Sequence, residues 1–288
     1  MADIDTLPPG SFCWPELATS DQKAGTAFYV KLFDWKQNDQ DMGPAGVYSM
    51  FQLRGRDVAA GASLRPEEKQ HGVPPHWNTY ISVANADAAV KRAQELGAKI
   101  LAPAFDVMDA GRMAVLADPE GAVFCVWQPK QHKGARIVNE HGSLNFNGLA
   151  TRDPEQAKAF YGAVFGWTTL ALPAGLMWTL PGYGDHLEEA TPGLREQMAQ
   201  MGGPEGFIDV VAALNPIAAD DSTTSPHWSV TFGVDNADAI AAKAQELRGE
   251  VVAGPVDAPW TRMAVIKDPQ GATFVASQFV AENKDLEA

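Results

Sequence analysis

Few side chains in this sequence combine acid–base chemistry with apolar surroundings. Glu16 is the single carboxylate in the run Phe-Cys-Trp-Pro-Glu-Leu that begins at Phe12, and His76 and His227 each stand in a Pro-His-Trp run. A carboxylate buried among apolar groups tends to keep its proton and becomes suited to proton transfer. A histidine titrates near neutral pH and can act as a general base. We therefore take Glu16 and His76 as candidate catalytic residues.

Each of these candidates also has a structural interpretation. Glu16 could lie at an exposed rim, and a histidine that recurs in both halves could serve the loop by hydrogen bonding. Arg112 and Arg262 both precede Met-Ala-Val. They could hold a carboxylate or phosphate of a ligand through two hydrogen bonds, or they could pair with an acid such as Glu16 or Asp118.

The elements that must position these residues occur twice along the chain. Residues 11–35 and 143–167 share Leu-Ala-Thr, an Asp two residues later, Ala-Phe-Tyr and a final Trp. A second pair of similar stretches begins at Pro75 and Pro226. A fixed repeat of this kind identifies the folding units before any residue is given a role. We predict two tandem domains, residues 1–134 and 135–288, with an insertion near 185–206 in the second. Within the insertion we expect a partly amphipathic helix over Leu187–Met201 that is broken near Pro192.

Each half shows the order strand, helix, strands, strand, helix, strands. In the first half the pattern predicts a strand over Phe12–Thr19 and a helix over Gln22–Leu32, with Asp21 as its N-cap. It also predicts a short strand over Val47–Leu53 and a brief one over Lys99–Leu101. The half closes with a hairpin across Asp-Pro-Glu-Gly, and the second half closes across Asp-Pro-Gln-Gly. The predicted fold class is α+β, in which helices cover one face of curved mixed sheets that form a cup.

Composition restricts the possible partners. The net charge of −14 argues against nucleic acid and against an anionic membrane surface, which require clustered Lys and Arg. No span has the length of a transmembrane helix and the N-terminus lacks the features of a signal peptide, so we expect a cytoplasmic protein. The two cysteines, Cys13 and Cys125, make no disulfide framework. As a nucleophile Cys125 would need a base or a positive field.

The order of elements, with the phrases LAT-x-D…AFY…GW and RMAV-x-x-DPxGA, resembles the vicinal oxygen chelate superfamily, which includes glyoxalases, bleomycin-resistance proteins and dioxygenases. The resemblance covers about residues 11–129 and 142–279, and it is strongest to tandem-domain bacterial members described as glyoxalase-like or hydroxylase-like. It implies a cup-forming fold. In the metal-using members it also implies four His, Gln or Glu ligands that face the cup.

The resemblance assigns those four ligand positions to particular residues of each half. None of them is His, Glu, Gln or Asp. A divalent metal needs three or four deprotonated nitrogen, oxygen or thiolate ligands, and Asn78 and Cys125 alone would make a poor site. We therefore predict no metal and no cofactor. The positions are Trp14, Gly61–Ala62, Asn78 and Cys125 in the first half, and Phe146, Val211–Ala212, Ser229 and Val275 in the second.

Alternation along the strands predicts which side chains face the cup. They are a mixture of aromatic rings with hydroxyl, amide and imidazole groups, which suits a small organic ligand. The alternative is that the rings fill a cup that has lost its metal. The predicted ligand-binding residues, with the two arginines, are Trp14, Asn78, Tyr80, Arg112, Cys125, Trp127, Phe146, His227, Ser229 and Arg262.

The leading hypothesis is a metal-independent protein that binds a small organic molecule, with no nucleic-acid or membrane partner. The alternatives are a lyase or isomerase of the glyoxalase kind, a hydroxylase- or dioxygenase-type enzyme, or an interaction protein with filled cups. The sequence leaves open whether cups form within or between domains. Because a tandem chain can satisfy its own pairing, we expect a monomer with an internal pseudo-dimer.

Overall fold

Each sequence repeat contributes one eight-stranded sheet and the helices that follow its strands. The computed structural model describes residues 6–172 and 175–286. The first repeat contains β1 Phe12–Thr19, α1 Gln22–Phe33, β2 Lys36–Asp41, β3 Val47–Leu53, β4 Arg56–Ser63, α2 Pro66–Gln70, β5 His76–Ser82, α3 Ala86–Glu95, β6 Lys99–Val107, β7 Gly111–Ala117 and β8 Val123–Pro129. The second contains β9 Ser143–Thr151, α4 Pro154–Phe165, β10 Thr168–Leu172, β11 Gly175–Thr179, α5 Tyr183–Ala190, α6 Leu194–Gln200, β12 Val210–Pro216, β13 His227–Gly233, α7 Ala237–Glu246, β14 Glu250–Ala258, β15 Thr261–Lys267 and β16 Thr273–Phe279.

The two sheets have the same topology. The strand order is β2-β3-β4-β1-β5-β8-β7-β6 in the first and β10-β11-β12-β9-β13-β16-β15-β14 in the second. β1 runs parallel to β4 and β5 parallel to β8, whereas the hairpin strands pair antiparallel. The sheets are therefore mixed. They are also unclosed, because the described strands at the two ends of each order do not pair with each other. The predicted α+β class is confirmed, and each sheet belongs to one repeat.

Local signals in the sequence explain where the main helices begin. The Asp21 carboxylate accepts a hydrogen bond from the Ala24 backbone N–H at 3.0 Å, as predicted, and Asp153 caps α4 in the same way. Asn85 and Asn236 cap α3 and α7. These side chains satisfy N–H groups that have no partner within the helix. The repeated motif therefore fixes the same two helix starts in each half.

Three segments differ from or extend the expectation. The strand expected to be brief at Lys99–Leu101 continues to Val107. β2 was not predicted, because its sequence Lys-Gln-Asn-Asp-Gln-Asp is polar throughout and every residue of it is exposed. The inserted segment near 185–206 forms two short helices, α5 and α6, which are separated near Pro192 as predicted.

The described chain packs as two compact units, and each unit takes segments from both repeats. One comprises the segment that ends at Cys13 together with Thr79–Gly134 and Phe146–Ser229. The other comprises Trp14–Asn78, Ala135–Asn145 and the segment that begins at Val230. Within a unit, the earlier part of one repeat therefore packs with the later part of the other repeat.

A buried polar triad lies inside the unit that contains α1 and α7. The Trp77 indole N–H donates to the Tyr29 hydroxyl at 2.9 Å, and that hydroxyl donates to Asp268 Oδ2 at 3.1 Å. Asp268 Oδ1 accepts three backbone N–H groups of its own turn at 2.8 to 3.0 Å. Burial is the main cause that raises the pKa of both Tyr29 and Asp268. A tyrosine of the first repeat is thus joined to the closing turn of the second.

The other unit contains the matching triad with the repeats exchanged. The Trp228 indole donates to the Tyr161 hydroxyl at 2.8 Å, and Tyr161 donates to Asp118 Oδ2 at 2.9 Å. Burial again raises the pKa of Tyr161 and of Asp118.

Among the described residues, no helix combines the length and the apolar character needed to cross a bilayer.

Candidate functional site

Five side chains on β1, β3 and β5 form a connected polar network, which we call the Glu16 cluster: Trp14, Glu16, Tyr48, His76 and Asn78. The Trp14 indole donates to the Tyr48 hydroxyl at 3.0 Å, and Tyr48 donates to Glu16 Oε2 at 2.8 Å. Asn78 Nδ2 lies 3.3 Å from Glu16 Oε1, and Asn78 Oδ1 lies 3.2 Å from His76 Nε2. Four residues that the sequence predicted for a site are brought together here.

The sheet register places these residues on one face. Glu16 pairs with Ala60 of β4, and Ala60 pairs with Met50 of β3. Because alternate residues of a strand share a face, Tyr48 lies on the same side as Met50 and therefore as Glu16. Trp14 is two residues before Glu16, and Asn78 alternates with the buried Thr79. The small Ala60 side chain lies between the carboxylate-bearing strand and β3.

Burial and hydrogen bonding fix the orientation of the network. Trp14 is 3% exposed, whereas Glu16, Tyr48, His76 and Asn78 are half-buried. The Tyr48 hydroxyl accepts from the indole and donates to the carboxylate, so neither ring nor hydroxyl can turn without losing a bond. Hydrogen bonds to a carboxylate are among the stronger ones in proteins. The cluster is therefore preorganised and keeps partial access to solvent.

A second carboxylate acts on the His76 end of the cluster. Glu68 of α2 is bonded by the Arg65 backbone N–H at 2.8 Å and by the Arg65 guanidinium at 2.7 Å. Partial burial raises the pKa of Glu68, but the hydrogen bonds from Arg65 outweigh burial and lower it, and the nearby His76 lowers it further. The negative charge of Glu68 therefore faces the imidazole, and Arg65 partly neutralises it.

Tyr80, Cys125 and Trp127 meet on the paired strands β5 and β8. Tyr80 is the partner of Cys125 in the parallel register, and the rings of Tyr80 and Trp127 meet edge to face at 6.4 Å. All three are buried. The Trp127 indole donates to the His132 carbonyl at 3.0 Å. These contacts make a packed aromatic wall, and the ligand-binding role of the three residues stays a prediction.

On the corresponding face of the second repeat, the position of Glu16 carries no carboxylate. Gly148 stands where the first repeat has Glu16, and the Ser229 hydroxyl donates to the Gly148 carbonyl at 3.2 Å. The Phe146 ring meets Phe207 at 5.8 Å. His227 is exposed, with Nδ1 2.8 Å from the Ser225 carbonyl. The predicted residues Phe146 and Ser229 have different partners there, and the part of the chain that the structure describes shows no network between them like that of Glu16.

Arg112 and Arg262 both take part in ion pairs with aspartates. Arg112 binds both carboxylate oxygens of Asp87 at 2.8 and 2.9 Å, and Arg262 binds both of Asp238 at 2.7 and 2.9 Å. A further aspartate, Asp257, lies 3.0 Å from Arg262. Pairing with an acid was the alternative for these arginines, but the partners are helix-start aspartates and not Glu16 or Asp118. A role in ligand binding stays a prediction.

The donor groups at the positions that the resemblance assigns to metal ligands do not fit a divalent metal. The Trp14 indole nitrogen can only donate, and it does so to Tyr48. Phe146 offers carbon alone, and the Ser229 hydroxyl is bonded to a backbone carbonyl. No group of three or more His, Cys, Asp or Glu side chains that could hold a metal occurs in the described ranges. Such a site needs three or four deprotonated ligands.

Tyr48 is the member of the cluster that the sequence did not single out. Its strand was predicted over Val47–Leu53, and β3 has those bounds. A tyrosine in a strand carries a hydroxyl that usually finds a partner when buried. That signal could have marked Tyr48, but its partner Glu16 follows only from the register of three strands.

The sequence is similar to that of known proteins over most of its length. A family model described as Glyoxalase/Bleomycin resistance protein/Dioxygenase superfamily matches residues 12–126 and 143–275. "Putative glyoxylase CFP32" of Mycobacterium bovis (strain ATCC BAA-935 / AF2122/97) is 41% identical over 265 residues, 91% of this chain and 92% of that protein. "Anthracycline biosynthesis protein DauV" of Streptomyces sp. (strain C5) is 33% identical over 283 residues, 92% of each chain.

A solved structure supports the fold. The Mn(II)-bound glyoxalase from Novosphingobium aromaticivorans superposes with a TM-score of 0.61 and 13% sequence identity, over 97% of this chain and 84% of that one. At such an identity the likeness concerns the fold and not the chemistry of the site.

Proposed function

Since this chain belongs to the glyoxalase/bleomycin resistance protein/dioxygenase superfamily, we propose that it binds a small organic molecule at the Glu16 cluster without a metal ion. The observation that carries the proposal is the set of contacts that Glu16 makes. Its carboxylate is held by the Tyr48 hydroxyl and the Asn78 amide, next to the buried Trp14 ring. Apolar walls with a few convergent polar groups are typical of small-molecule sites.

The chemistry of the cluster favours a planar aromatic ligand that carries hydroxyl and carbonyl groups. The half-buried Tyr48 ring supplies flat apolar surface beside the buried Trp14 ring, and Glu16, Asn78 and His76 supply both donors and acceptors. A relative named for anthracycline biosynthesis supports this class of compound. Anthracyclines are planar aromatic ketones with hydroxyl groups and an amino sugar. A chain with a net charge of −14 attracts such an amine over a distance.

Metal independence rests on the residue types at the assigned ligand positions. An indole, an amide, a phenyl ring, a hydroxyl that is already bonded and the single buried thiol of Cys125 provide at most one anionic donor and no imidazole. The solved relative with bound Mn(II) shares the fold at 13% identity, which leaves room for a different site. Binding would then use ring contacts and hydrogen bonds in place of coordination.

The test is ligand-induced stabilisation of the metal-free protein. We would dialyse the full chain against EDTA, add doxorubicin as the probe, and follow thermal unfolding by calorimetry. A ligand at about one hundred times its dissociation constant stabilises the folded state by about 2.7 kcal/mol. Glu16→Gln should remove most of this stabilisation. Ser229→Ala, which alters the matching position of the second repeat, should retain it.

Three results would count against the proposal. Stabilisation that appears only after Mn(II) or Zn(II) is restored would show that binding needs a metal. Equal stabilisation of the wild type and Glu16→Gln would place the ligand elsewhere. Absence of any stabilisation by the probe would reject aromatic ketones of this kind as the ligand class.

The same cluster favours a second candidate, metal-independent proton transfer on a carbonyl compound. Glu16 is a positioned carboxylate with a hydrogen-bonding tyrosine, and the relative named as a glyoxylase supports testing such chemistry. The assay is conversion of the hemithioacetal of methylglyoxal and glutathione in the presence of EDTA. A positioned acid–base group contributes about 10²- to 10⁴-fold, so Glu16→Gln should lower the rate by at least about 100-fold. Conversion that is unchanged in Glu16→Gln would contradict this role.

A further inference from the structure

One row of the second sheet buries two polar side chains whose polar atoms have no hydrogen-bond partner in the part of the chain that the structure describes. Trp178 of β11 pairs with Ala212 of β12, and Ala212 pairs with Asn147 of β9. Trp178 is 0% exposed and Asn147 is 1% exposed. The indole nitrogen and both amide atoms lack a partner. Such groups are rare in protein interiors, because burying a polar group without a hydrogen bond is costly.

The sheet register puts both side chains on the face that packs against α4. Paired residues on neighbouring strands point to the same side, so Trp178, Ala212 and Asn147 share a face. The Trp178 ring meets the Tyr161 ring of α4 at 5.7 Å, which identifies that face. Gly148 follows Asn147 along β9 and therefore lies on the opposite face. The row is thus separate from the ligand face described above.

The first repeat carries an apolar version of the same row. Phe51 of β3 pairs with Ala59 of β4, and the parallel register of β1 and β4 puts Pro15 beside Ala59. All three are buried. Phenylalanine and proline bring no polar side-chain atom, whereas tryptophan and asparagine bring an indole N–H and an amide. The two outer positions therefore change together between the repeats, while the alanine between them stays.

The surroundings of the aromatic position are otherwise alike in the two repeats. The Phe51 ring meets Trp35 at 5.0 Å, and the Trp178 ring meets Trp167 at 5.5 Å. The Trp167 indole is satisfied, because it donates to the Gly10 carbonyl at 2.7 Å. The indole N–H of Trp178 is therefore an addition to an aromatic packing arrangement that the first repeat builds without it.

The unpartnered atoms define the chemistry of the group that would satisfy them. The indole can only donate, and the amide offers two donors and one acceptor. No charged side chain belongs to the row, so a buried ion would lack a counter-charge there. Backbones two strands apart lie about 9.5 Å from each other, too far for a direct bond between side chains that stand upright on a sheet. A water molecule extends the reach by about 2.8 Å on each side.

We propose that the row formed by Trp178, Ala212 and Asn147 is a binding site for an ordered internal water molecule. The indole donates to the water oxygen, and the water donates to the amide oxygen of Asn147 over the methyl group of Ala212. The site does not depend on which way round the amide is placed, because in the other orientation the water accepts from both nitrogens. Buried waters typically make about two to four such bonds to groups that would otherwise be unsatisfied.

The first measurement is water–protein NMR on the full-length, unliganded protein with isotope-labelled tryptophan. The indole proton of Trp178, identified by its loss in Trp178→Phe, should show a cross-peak to a long-lived water. Trp167 is the matched control, because it is buried in the same aromatic cluster but its N–H is bonded to a carbonyl. Its indole proton should show no such cross-peak. The Trp178 cross-peak should be lost in Asn147→Leu.

A set of substitutions tests the shared partner through stability. Asn147→Leu keeps roughly the shape of asparagine but removes its polar atoms, so the Trp178 indole is left buried without an acceptor. The equilibrium constant of unfolding should rise at least about tenfold. In the Trp178→Phe background, which restores the residue type of the first repeat, Asn147→Leu should raise that constant less than about threefold, since no donor is left unpaired. Urea denaturation of the four proteins measures both effects.

Three results would overturn the proposal. The first is an equal response of the Trp178 and Trp167 indole protons to water. The second is a Trp178 cross-peak that survives in Asn147→Leu, which would come from exchange with the nearby Tyr161 hydroxyl. The third is an equal effect of Asn147→Leu in both backgrounds. Should that variant not fold, Asn147→Val gives the same comparison. No ligand is used, so the outcome is independent of the binding proposed above.

Discussion

The faces that carry Glu16 and Gly148 have the same backbone and different chemistry. In the first repeat the paired row is Met50, Ala60 and Glu16, and in the second it is Met177, Ala213 and Gly148. The methionine and the alanine recur, so the scaffold is common to both. The two rows differ in that the first ends in Glu16 and the second in Gly148. This difference decides whether a charged network can form.

The buried triads give the opposite result. Trp77, Tyr29 and Asp268 repeat the contacts of Trp228, Tyr161 and Asp118 with closely similar distances. Each carboxylate there accepts backbone N–H groups of a closing turn and is almost fully buried. What the duplication preserves is therefore the packing that holds a unit together. What it does not preserve is the polar face, which makes the Glu16 cluster the candidate for a specific function.

The largest expected effect is the loss of either triad carboxylate. Asp268→Ala leaves the Gln270 and Ala272 N–H groups and the Tyr29 hydroxyl without this acceptor in a site that is 3% exposed. The Gly271 N–H keeps a bond to the backbone carbonyl of residue 268. Buried donors without partners cost about 1–3 kcal/mol each before relaxation, so we expect about 3 kcal/mol of destabilisation in total. Asp118→Ala should have a similar effect. Urea denaturation of both variants measures it.

The asparagine variants are the matched controls for those substitutions. Asp268→Asn and Asp118→Asn keep an oxygen for the turn and offer an N–H to the tyrosine hydroxyl. They should cost roughly a third as much as the alanine variants, about 1 kcal/mol. An alanine variant as stable as its asparagine counterpart would show that the turn does not depend on the carboxylate.

A smaller effect, confined to ligand binding, is expected from Tyr48→Phe. The ring remains, but the acceptor for Trp14 and the donor to Glu16 are lost. A hydrogen bond to a charged group contributes about 1.5–3 kcal/mol, so doxorubicin affinity should fall at least about tenfold. Titration calorimetry measures the change, with Ser229→Ala as the variant that should bind normally. Normal binding by Tyr48→Phe would separate the ligand from the cluster.

Much of the fold could be predicted because its signals are local. Helix caps such as Asp21, the Asp-Pro-x-Gly turns and the repeat each depend on a few neighbouring residues. β2 escaped prediction because its exposed polar sequence has no apolar alternation. Trp14, Glu16, His76 and Asn78 were identified because alternation along two strands assigns a face to each of them.

The remaining details of the site depend on contacts between distant segments. Tyr48 meets Glu16 only through the register of β1, β4 and β3, which no local pattern specifies. The acids that bind Arg112 and Arg262 were also missed, although both repeats carry Asn-Ala-Asp at a helix start. That recurrence was a usable signal, since Asp87 and Asp238 occupy the same place before equivalent arginines.

The pH dependence of stability offers a test in which the two triads should respond alike. Folding raises the pKa of Asp268 through burial, so the folded state holds this proton more tightly than the unfolded chain. The resulting stabilisation is complete below the unfolded pKa and is lost as the pH rises through the folded pKa. Relative to Asp268→Asn, the wild type should therefore lose stability as the pH rises above about 4, the ordinary pKa of an aspartate.

Asp118→Asn should give a difference of the same sign, because burial also raises the pKa of Asp118. Urea denaturation at a series of pH values, with each variant compared with the wild type at the same pH, removes the contribution of the other carboxylates. A wild type that gains stability relative to both variants over this range would show that folding lowers these pKa values.

The smallest effects should come from the repeated arginines, which are the second feature that both halves share. Arg112 and Arg262 bind aspartates at the protein surface, where solvent and salt weaken ion pairs. Arg112→Gln and Arg262→Gln should each leave doxorubicin affinity within about twofold of the wild type, because neither guanidinium belongs to the Glu16 cluster. Loss of affinity in Arg112→Gln alone would show that this arginine contributes to ligand binding, as the sequence predicted. The repeats would then differ at the arginines as well as at Glu16 and Gly148. Equal losses in both variants would instead mean that the second repeat binds the ligand as well, and the absence of a carboxylate at Gly148 would then no longer distinguish the two faces.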